Sequence, residues 1–222
     1  MSDPTSTEPL RIGVLLFEDV EPLDAVGPAQ VFWSLNSARR FIEPFRATEV
    51  HLIAETTEPV RFGYGMVVHP TCDYAGAPDL DVLVIPGGSG AEHEMAGEGP
   101  GTYGRRFQAT HEPTLAFVRR QAVHAEVMAS VCTGTFILAG AGLLAGHRGN
   151  THWSARDELV ATMDERGEKF VLEVARVVDD GPIVTAGGVS SGIDLALHLV
   201  ERFLGEAPRK AAAAIIEQET PD

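Results

Sequence analysis

The cysteine within Ala129-Ser130-Val131-Cys132-Thr133-Gly134-Thr135 is the residue whose setting most favours chemistry. An apolar, strand-like run from Val127 to Val131 ends at Cys132, and a helix-like run from Phe136 to Leu144 begins just after it. This strand-to-helix turn predicts a nucleophile elbow, with an exposed sulfur in place of a serine oxygen. Gly134 would let the turn pack closely, and the helix N-terminus would favour the thiolate. A buried, inert cysteine fits the local pattern equally well.

Asp24 is the candidate proton donor. It lies near the start of a predicted helix from Pro22 to Leu35, just after a predicted buried strand from Arg11 to Phe17. Ligands of open α/β sheets bind beyond the carboxyl ends of the strands, so Asp24 and Cys132 are expected at one edge. A carboxyl in a dry pocket beside a thiolate can have a raised pKa and act as an acid. A carboxylate at this place is more often a helix cap.

Four further residues are candidates for binding substrate. Gly87 and Gly88 follow a predicted strand, and their N–H groups could form an oxyanion hole, although a plain turn is the simpler interpretation. The hydroxyl and N–H of Thr133 could hydrogen-bond substrate or cap the helix. His152 could orient the cysteine or a substrate; packing beside Trp153 in a structural role is slightly favoured.

The alternation of short apolar segments with helical ones predicts a mostly parallel sheet that is covered on both faces. Ser154 is predicted to cap its helix, and Cys72 is interpreted as incidental. The other predicted strands are Val50 to Ala54, Asp81 to Ile85, Val171 to Val178 and Ile183 to Thr185; the other helices are Thr114 to Ala122, Ser154 to Met163 and Ser191 to Leu204; a hairpin spans Val60 to Pro70.

The length of 222 residues and a hydrophobic content of 44% predict a single α/β domain. We place it at residues 10–205, between a frayed tail at 1–9 and a helical extension or tail at 206–222. The glycine-rich stretch from Ala96 to Thr110 is predicted to be a surface insertion, with a lid as one form it could take.

Charge and composition exclude several classes of function. A net charge of −15 disfavours nucleic acid, and no apolar run is long enough to span a membrane. The N-terminus does not resemble a signal peptide, so with only two cysteines, Cys72 and Cys132, a reducing cytoplasm is expected. No Cys/His spacing suggests zinc. The expected partner is a small molecule or another copy of the chain.

Five segments together resemble the ThiJ/PfpI superfamily, a branch of the class I glutamine amidotransferase-like fold. The resemblance covers about residues 11–203, and within it the segments are most similar to the isocyanide hydratases. They are Leu23-Asp24 with Gly27-Pro28, Ile85-Pro86-Gly87-Gly88, Ser130-Val131-Cys132-Thr133-Gly134, Thr151-His152-Trp153, and Gly187-Gly188 with Gly192-Ile193-Asp194.

This resemblance implies a flavodoxin-like three-layer sandwich and a homodimer with the active site near its interface. It implies no metal and no organic cofactor. Cys132 would be the nucleophile and Asp24 its acidic partner in a cysteine-dependent hydro-lyase that converts an isocyanide to an N-formamide through a thioimidate. Many members, including the glyoxalase-type ones, carry glutamate at the acidic position, so the aspartate favours the hydratases.

Two other functions stay open at this point. One is a glyoxalase- or deglycase-like enzyme acting on 2-oxoaldehydes. The other is a ligand or redox sensor, similar to the sensor domain of AraC-type regulators, in which Cys132 would be oxidised. About eighteen residues follow Leu204, too few for the helix-turn-helix region of those regulators. Residues 36–48 and 96–110 look longer than in the hydratases, so the substrate is left open.

Overall fold

A seven-stranded sheet forms the centre of the computed structural model, which describes residues 8–42, 45–88 and 104–218. The strands are β1 Leu10–Leu15, β2 Thr48–Ala54, β3 Val60–Arg61, β4 Val67–Val68, β5 Cys72–Asp73, β6 Val82–Ile85, β7 Val127–Val131, β8 Arg148–Gly149, β9 Val171–Leu172, β10 Val177–Asp180 and β11 Ile183–Ala186. The order in the sheet is β10-β11-β7-β6-β1-β2-β5, and only the β10–β11 pair is antiparallel. The predicted fold class, a mostly parallel flavodoxin-like sheet, is confirmed.

Helices cover the sheet in two groups. They are α1 Pro22–Ala38, α2 Gly104–Gln108, α3 Glu112–Ala122, α4 Thr135–Gly140, α5 Arg156–Glu165, α6 Ser191–Leu204 and α7 Glu206–Ile215. Helices α1, α6 and α7 pack against one another, and α2, α3 and α4 form a second group. Within the described part of the chain, no helix has the length and apolar character needed to cross a membrane.

The central strands are mostly apolar because helices bury both faces of the sheet. Every residue of β6 and of β7 is buried. Strands β1, β6 and β7 are neighbours and run parallel, so their carboxyl ends meet at one edge. The segments that follow these strands carry Asp24, Gly87 and Cys132, and the topology therefore brings these residues together.

Several predicted elements differ from those observed. The strand expected from Val171 to Val178 is two strands, because β9 pairs with β8 whereas β10 pairs with β11. The helix expected to reach Leu144 ends at Gly140. Ser154 does not cap a helix through its side chain; instead, the His152 side chain accepts a hydrogen bond from the Ser154 N–H. The hairpin is confirmed, with β3 and β4 antiparallel.

Part of the predicted surface insertion is built into the fold. Residues 96–103 lie outside the described residues, but residues 104–108 form α2 rather than an irregular loop. Arg105 is buried, pairs with Glu158 at 2.7 Å and lies 4.0 Å from the centre of the Phe136 ring. Its N–H donates to the Gly88 carbonyl at 3.0 Å. This end of the insertion therefore supports the loop after β6.

Candidate active site

Cys132 lies at a strained turn between β7 and α4. Its φ of 58° is in the left-handed region, which is uncommon for residues other than glycine and is often found at functional sites. The Cys132 N–H donates to the Gly187 carbonyl at 2.7 Å, and the Thr151 hydroxyl donates to the Cys132 carbonyl at 2.8 Å. A Cβ on Gly134 would lie 2.2 Å from the Ile85 carbonyl oxygen, so only glycine fits this turn.

Of the two alternatives for Cys132, an exposed sulfur and a buried one, the structure shows the buried one. Cys132 is buried, with 8% of its surface exposed. Burial and the nearby Asp24 carboxylate raise the pKa of the thiol to about 12, although the N–H groups of Thr133 and Val189 oppose this rise. Desolvation of the anion therefore acts against the thiolate that the start of a helix would favour.

Asp24 is completely buried beside the thiol. Its Oδ2 accepts a hydrogen bond from the Gly87 N–H at 3.0 Å. Its Oδ1 is buried, and no nitrogen or oxygen donor of the described residues meets it in hydrogen-bond geometry. Burial raises the pKa of Asp24 to about 7, while the Gly87 N–H and the Cys132 thiol lower it by favouring the anion.

Asp24 and Cys132 therefore behave as one titrating pair. The Asp24 carboxylate raises the pKa of the Cys132 thiol, and burial raises the pKa of both groups. Two neighbouring buried anions are strongly disfavoured, so the pair keeps one proton over a wide pH range. Moving that proton from sulfur to oxygen creates a nucleophile and an acid in one step.

Gly87, Gly88 and Thr133 surround this pair, but their hydrogen bonds differ from the oxyanion hole predicted above. The Gly87 N–H is used by Asp24, and the Gly88 N–H donates to Thr133 Oγ1 at 3.2 Å. A Cβ on Gly87 would lie 2.6 Å from Thr133 Oγ1. The Thr133 N–H hydrogen-bonds the Cys132 sulfur. The two glycines thus place the acid and the threonine hydroxyl.

His152 lies at the rim of this region. Its Nδ1 is 2.8 Å from the Ser154 hydroxyl, and its ring is 5.5 Å from that of Trp153 between centroids. Its ring also packs so closely on Gly188 that a Cβ there would lie 2.3 Å from His152 Cδ2. These contacts describe a packed, half-buried histidine.

Val189 is a site residue that the sequence did not suggest. Its N–H lies beside both Asp24 and Cys132 and lowers the pKa of each. Its φ of 44° is a clear outlier for a β-branched residue. Because the contribution comes from the backbone, the side-chain type gave no clue; Gly187-Gly188 just before it was the only signal.

A cavity of about 470 Å³ lies elsewhere, at the carboxyl ends of β1 and β2. Its walls include Phe17, Glu18 and Glu55, and neither Cys132 nor Asp24 is among its lining residues. No group of three His, Cys, Asp or Glu side chains suited to a metal ion occurs in the described ranges. The candidate site is therefore defined by the Asp24–Cys132 pair and the N–H groups around it.

Comparison with known proteins identifies the family of this chain. The DJ-1/PfpI family profile matches residues 10–202. Isonitrile hydratase of Pseudomonas putida is 38% identical over 196 residues, which are 88% of this chain and 73% of that protein. The HTH-type transcriptional regulator GbdR of Pseudomonas aeruginosa is 25% identical over 96% of this chain, which spans 51% of the regulator.

Among solved structures, a ThiJ/PfpI family protein from Pseudomonas syringae superposes with a TM-score of 0.79 at 28% identity. The superposition covers 100% of this chain and 80% of the other. The profile spans the whole central sheet and includes Asp24 and Cys132. The chain belongs to the DJ-1/PfpI family.

Proposed function

We propose that this protein hydrates isocyanides (isonitriles) to N-formamides. The observation that carries the proposal is the buried Asp24–Cys132 pair, which holds one proton between a soft nucleophile and a carboxyl. The terminal carbon of an isocyanide needs both a soft nucleophile and a proton. Similarity to the isonitrile hydratase of Pseudomonas putida supports the same reaction.

In the first step, the Cys132 sulfur forms a bond to the terminal carbon of R–N≡C while the proton of Asp24 is transferred to that carbon. The product is a thioimidate, R–N=CH–S–Cys132, and Asp24 is left ionised. Covalent catalysis of this kind replaces one difficult addition by two easier ones. Burial of the pair favours this step, because the negative charge leaves the sulfur as it forms on Asp24. The two anions are therefore never present together.

In the second step, the oxygen of a water molecule bonds to the thioimidate carbon while ionised Asp24 accepts a proton from that water. Asp24 then passes this proton to the nitrogen. The resulting R–NH–CH(OH)–S–Cys132 collapses: the C–S bond breaks, the hydroxyl proton returns to Asp24, and R–NH–CHO leaves. The thiolate and the protonated carboxyl are restored. One water is consumed, and no oxidant or cofactor is required.

Two groups are placed to hold polar atoms of these intermediates. Thr133 Oγ1 already accepts the Gly88 N–H, and a hydroxyl that accepts one hydrogen bond can donate another. We assign this O–H to the substrate nitrogen. The Val189 N–H, which lies beside the pair and lowers both pKa values, would stabilise the anion that moves between sulfur and carboxyl. His152 is assigned to shaping the rim.

The test is turnover of p-nitrophenyl isocyanide, followed as formamide formation. We expect the wild type to turn over and Cys132→Ala to lose activity by roughly 10³-fold or more, because the nucleophile is missing. Cys72→Ala is the matched control: it removes the other thiol, on the edge strand β5, and should keep wild-type activity.

Undiminished activity in Cys132→Ala would contradict the mechanism. Two further assays on the same samples test the other functions. One follows the loss of methylglyoxal, and the other follows oxidation of Cys132 in buffer without substrate. Loss of methylglyoxal without isocyanide turnover would indicate a glyoxalase- or deglycase-like enzyme. Oxidation of Cys132 with no turnover of either compound would indicate a sensor.

A further inference from the structure

The first turn of α1 carries two carboxyls, and neither caps the helix. The helix begins at Pro22, so Glu21 is the N-cap residue and Asp24 is the third residue, the two positions that form a capping box. The Glu21 side chain makes no capping hydrogen bond. The Glu21 N–H donates to the Gly87 carbonyl at 2.9 Å instead of to Asp24. Residues at capping positions that do not cap the helix are expected where they have a functional role.

The β3–β4 hairpin brings a tyrosine to the first of these carboxyls. The Gly63 N–H donates to the Val20 carbonyl at 2.9 Å, which fixes the hairpin turn against the start of α1. Tyr64 follows with a φ of 61°, in the left-handed region. Its side chain hydrogen-bonds the Glu21 carboxyl. The strained turn thus holds a phenol against a half-buried glutamate.

We propose that Glu21 is a positioning residue: its carboxylate, three residues before Asp24 on the same helical turn and beside Tyr64, opposes negative charge on the Asp24–Cys132 pair and so delays the loss of the first of its two protons. This inference rests on the proposed function, because it gives Glu21 a part in the same proton transfer. Glu21 itself need not touch the substrate.

The charges around the pair agree with this role. Two groups lie beside Glu21: Tyr64 of the hairpin and Asp24 of the same helix. Cys132 of the elbow lies beside Asp24. The Glu21 carboxylate raises the pKa of Asp24, whereas the backbone N–H groups beside Asp24 lower it. Burial raises the pKa of Glu21, and the Tyr64 hydroxyl acts against this rise by stabilising the carboxylate.

The test is the rate of Cys132 alkylation by iodoacetamide as a function of pH, in a Cys72→Ala background so that one thiol reports. Only the thiolate reacts, and the pair can form it once the first of its two protons is lost, so the rate rises with pH through the step near pH 7 to which Asp24 contributes. Without the charge of Glu21 this first proton is lost more easily. We expect Glu21→Gln to lower the midpoint by about half a pH unit, a roughly threefold change in proton affinity, and Glu21→Asp to restore most of it.

Glu18→Gln is the matched control. It removes the same charge three residues earlier, where the carboxyl accepts the Arg61 N–H at 3.1 Å. We expect its midpoint to equal that of the wild type. An unchanged midpoint in Glu21→Gln, or an equal shift in Glu18→Gln, would overturn the inference.

Alkylation uses no isocyanide, so the two proposals can fail separately. Isocyanide turnover with an unshifted midpoint would contradict the role of Glu21 alone. A shifted midpoint without turnover of isocyanide would contradict the proposed function alone and would keep the charge effect of Glu21 on the pair.

Discussion

Asp24 and Cys132 restrain each other's charge, and this restraint prepares both for the proposed reaction. Burial raises the pKa of each group. An exposed thiolate at a helix start would be nucleophilic on its own, but it would have no proton beside it for the isocyanide carbon. The buried pair delivers the nucleophile and the proton together, at the expense of a smaller thiolate population.

Activity is expected to depend on pH through this pair. The reactive form holds one proton, and the pKa of Asp24 is raised by burial to about 7. We therefore expect kcat/KM to fall about tenfold per pH unit below about pH 7, as a second proton binds. On the alkaline side the raised pKa of Cys132 keeps the remaining proton bound, so kcat/KM should form a plateau. A profile with constant activity down to about pH 5 would contradict this assignment.

Asp24 is also expected to lower the stability of the fold. Its folded pKa of about 7 lies above its ordinary value of 3.8, so its stabilising contribution is present below about pH 4 and is lost as the pH rises to about 7. Asp24→Asn should then unfold at higher urea concentration at pH 8, with a gain of about 2–4 kcal/mol. The variant should have almost no hydratase activity.

The same comparison at pH 4 is the control for this prediction. There the folded wild type holds the proton and the unfolded chain holds it in part, so most of the gain from Asp24→Asn should disappear. An equal gain at both pH values would show that the effect comes from packing and not from the buried charge.

The elbow keeps its shape because β6 and β7 are neighbours in the sheet and the turn after β7 packs against the end of β6. Gly134 is where this contact is tightest, since an added Cβ would lie 2.2 Å from the Ile85 carbonyl oxygen, a backbone atom that cannot easily move. We expect Gly134→Ala to lower the free energy of unfolding by about 3 kcal/mol or more. Urea denaturation measures this change.

Gly146→Ala is the matched control for the elbow. Gly146 has a φ of 85°, but an added Cβ would have no atom within 4 Å. It should lose only about 1 kcal/mol, from backbone strain alone. Similar losses in both variants would contradict the idea that close packing of the elbow sets the geometry of Cys132.

The sequence predicted the elements near the site better than those far from it. Strand β7 and helix α6 have the predicted bounds, because long apolar runs and helical periodicity leave little choice. The segment from Val171 to Val178 could not be divided in advance, since its two halves pair with different strands. The local pattern at Cys132 allowed both an exposed and a buried sulfur, so the sequence could not choose between them.

At the scale of the whole molecule, alternating strand and helix patterns were sufficient for the layered fold, and the rule for sheet edges placed Asp24 near Cys132. The hydrogen bonds that give Gly87, Gly88 and Thr133 their roles were not predictable, because they depend on which backbone groups face one another. The resemblance to the family supplied the acidic and nucleophilic roles that spacing left open.

We expect the chain to form a homodimer, as the resemblance to the family implies. Several large hydrophobic side chains are well exposed on the isolated chain, among them Tyr64 at 77%, Val67 at 56% and Trp153 at 72%, and exposed hydrophobic surface can mark an interface between subunits. Light scattering should give twice the chain mass of 23.7 kDa. A single-chain mass over a wide range of concentrations would contradict this expectation.

The covalent bond between Cys132 and the isocyanide carbon is the central claim, and rapid-quench mass spectrometry tests it most directly. Wild-type protein is mixed with p-nitrophenyl isocyanide, quenched at short times, digested and analysed for modified peptides. We predict that the peptide containing Cys132 gains the mass of one substrate molecule and loses it again as formamide accumulates. Formamide production with no adduct on Cys132 at any time, or with the adduct only on Cys72, would contradict the account.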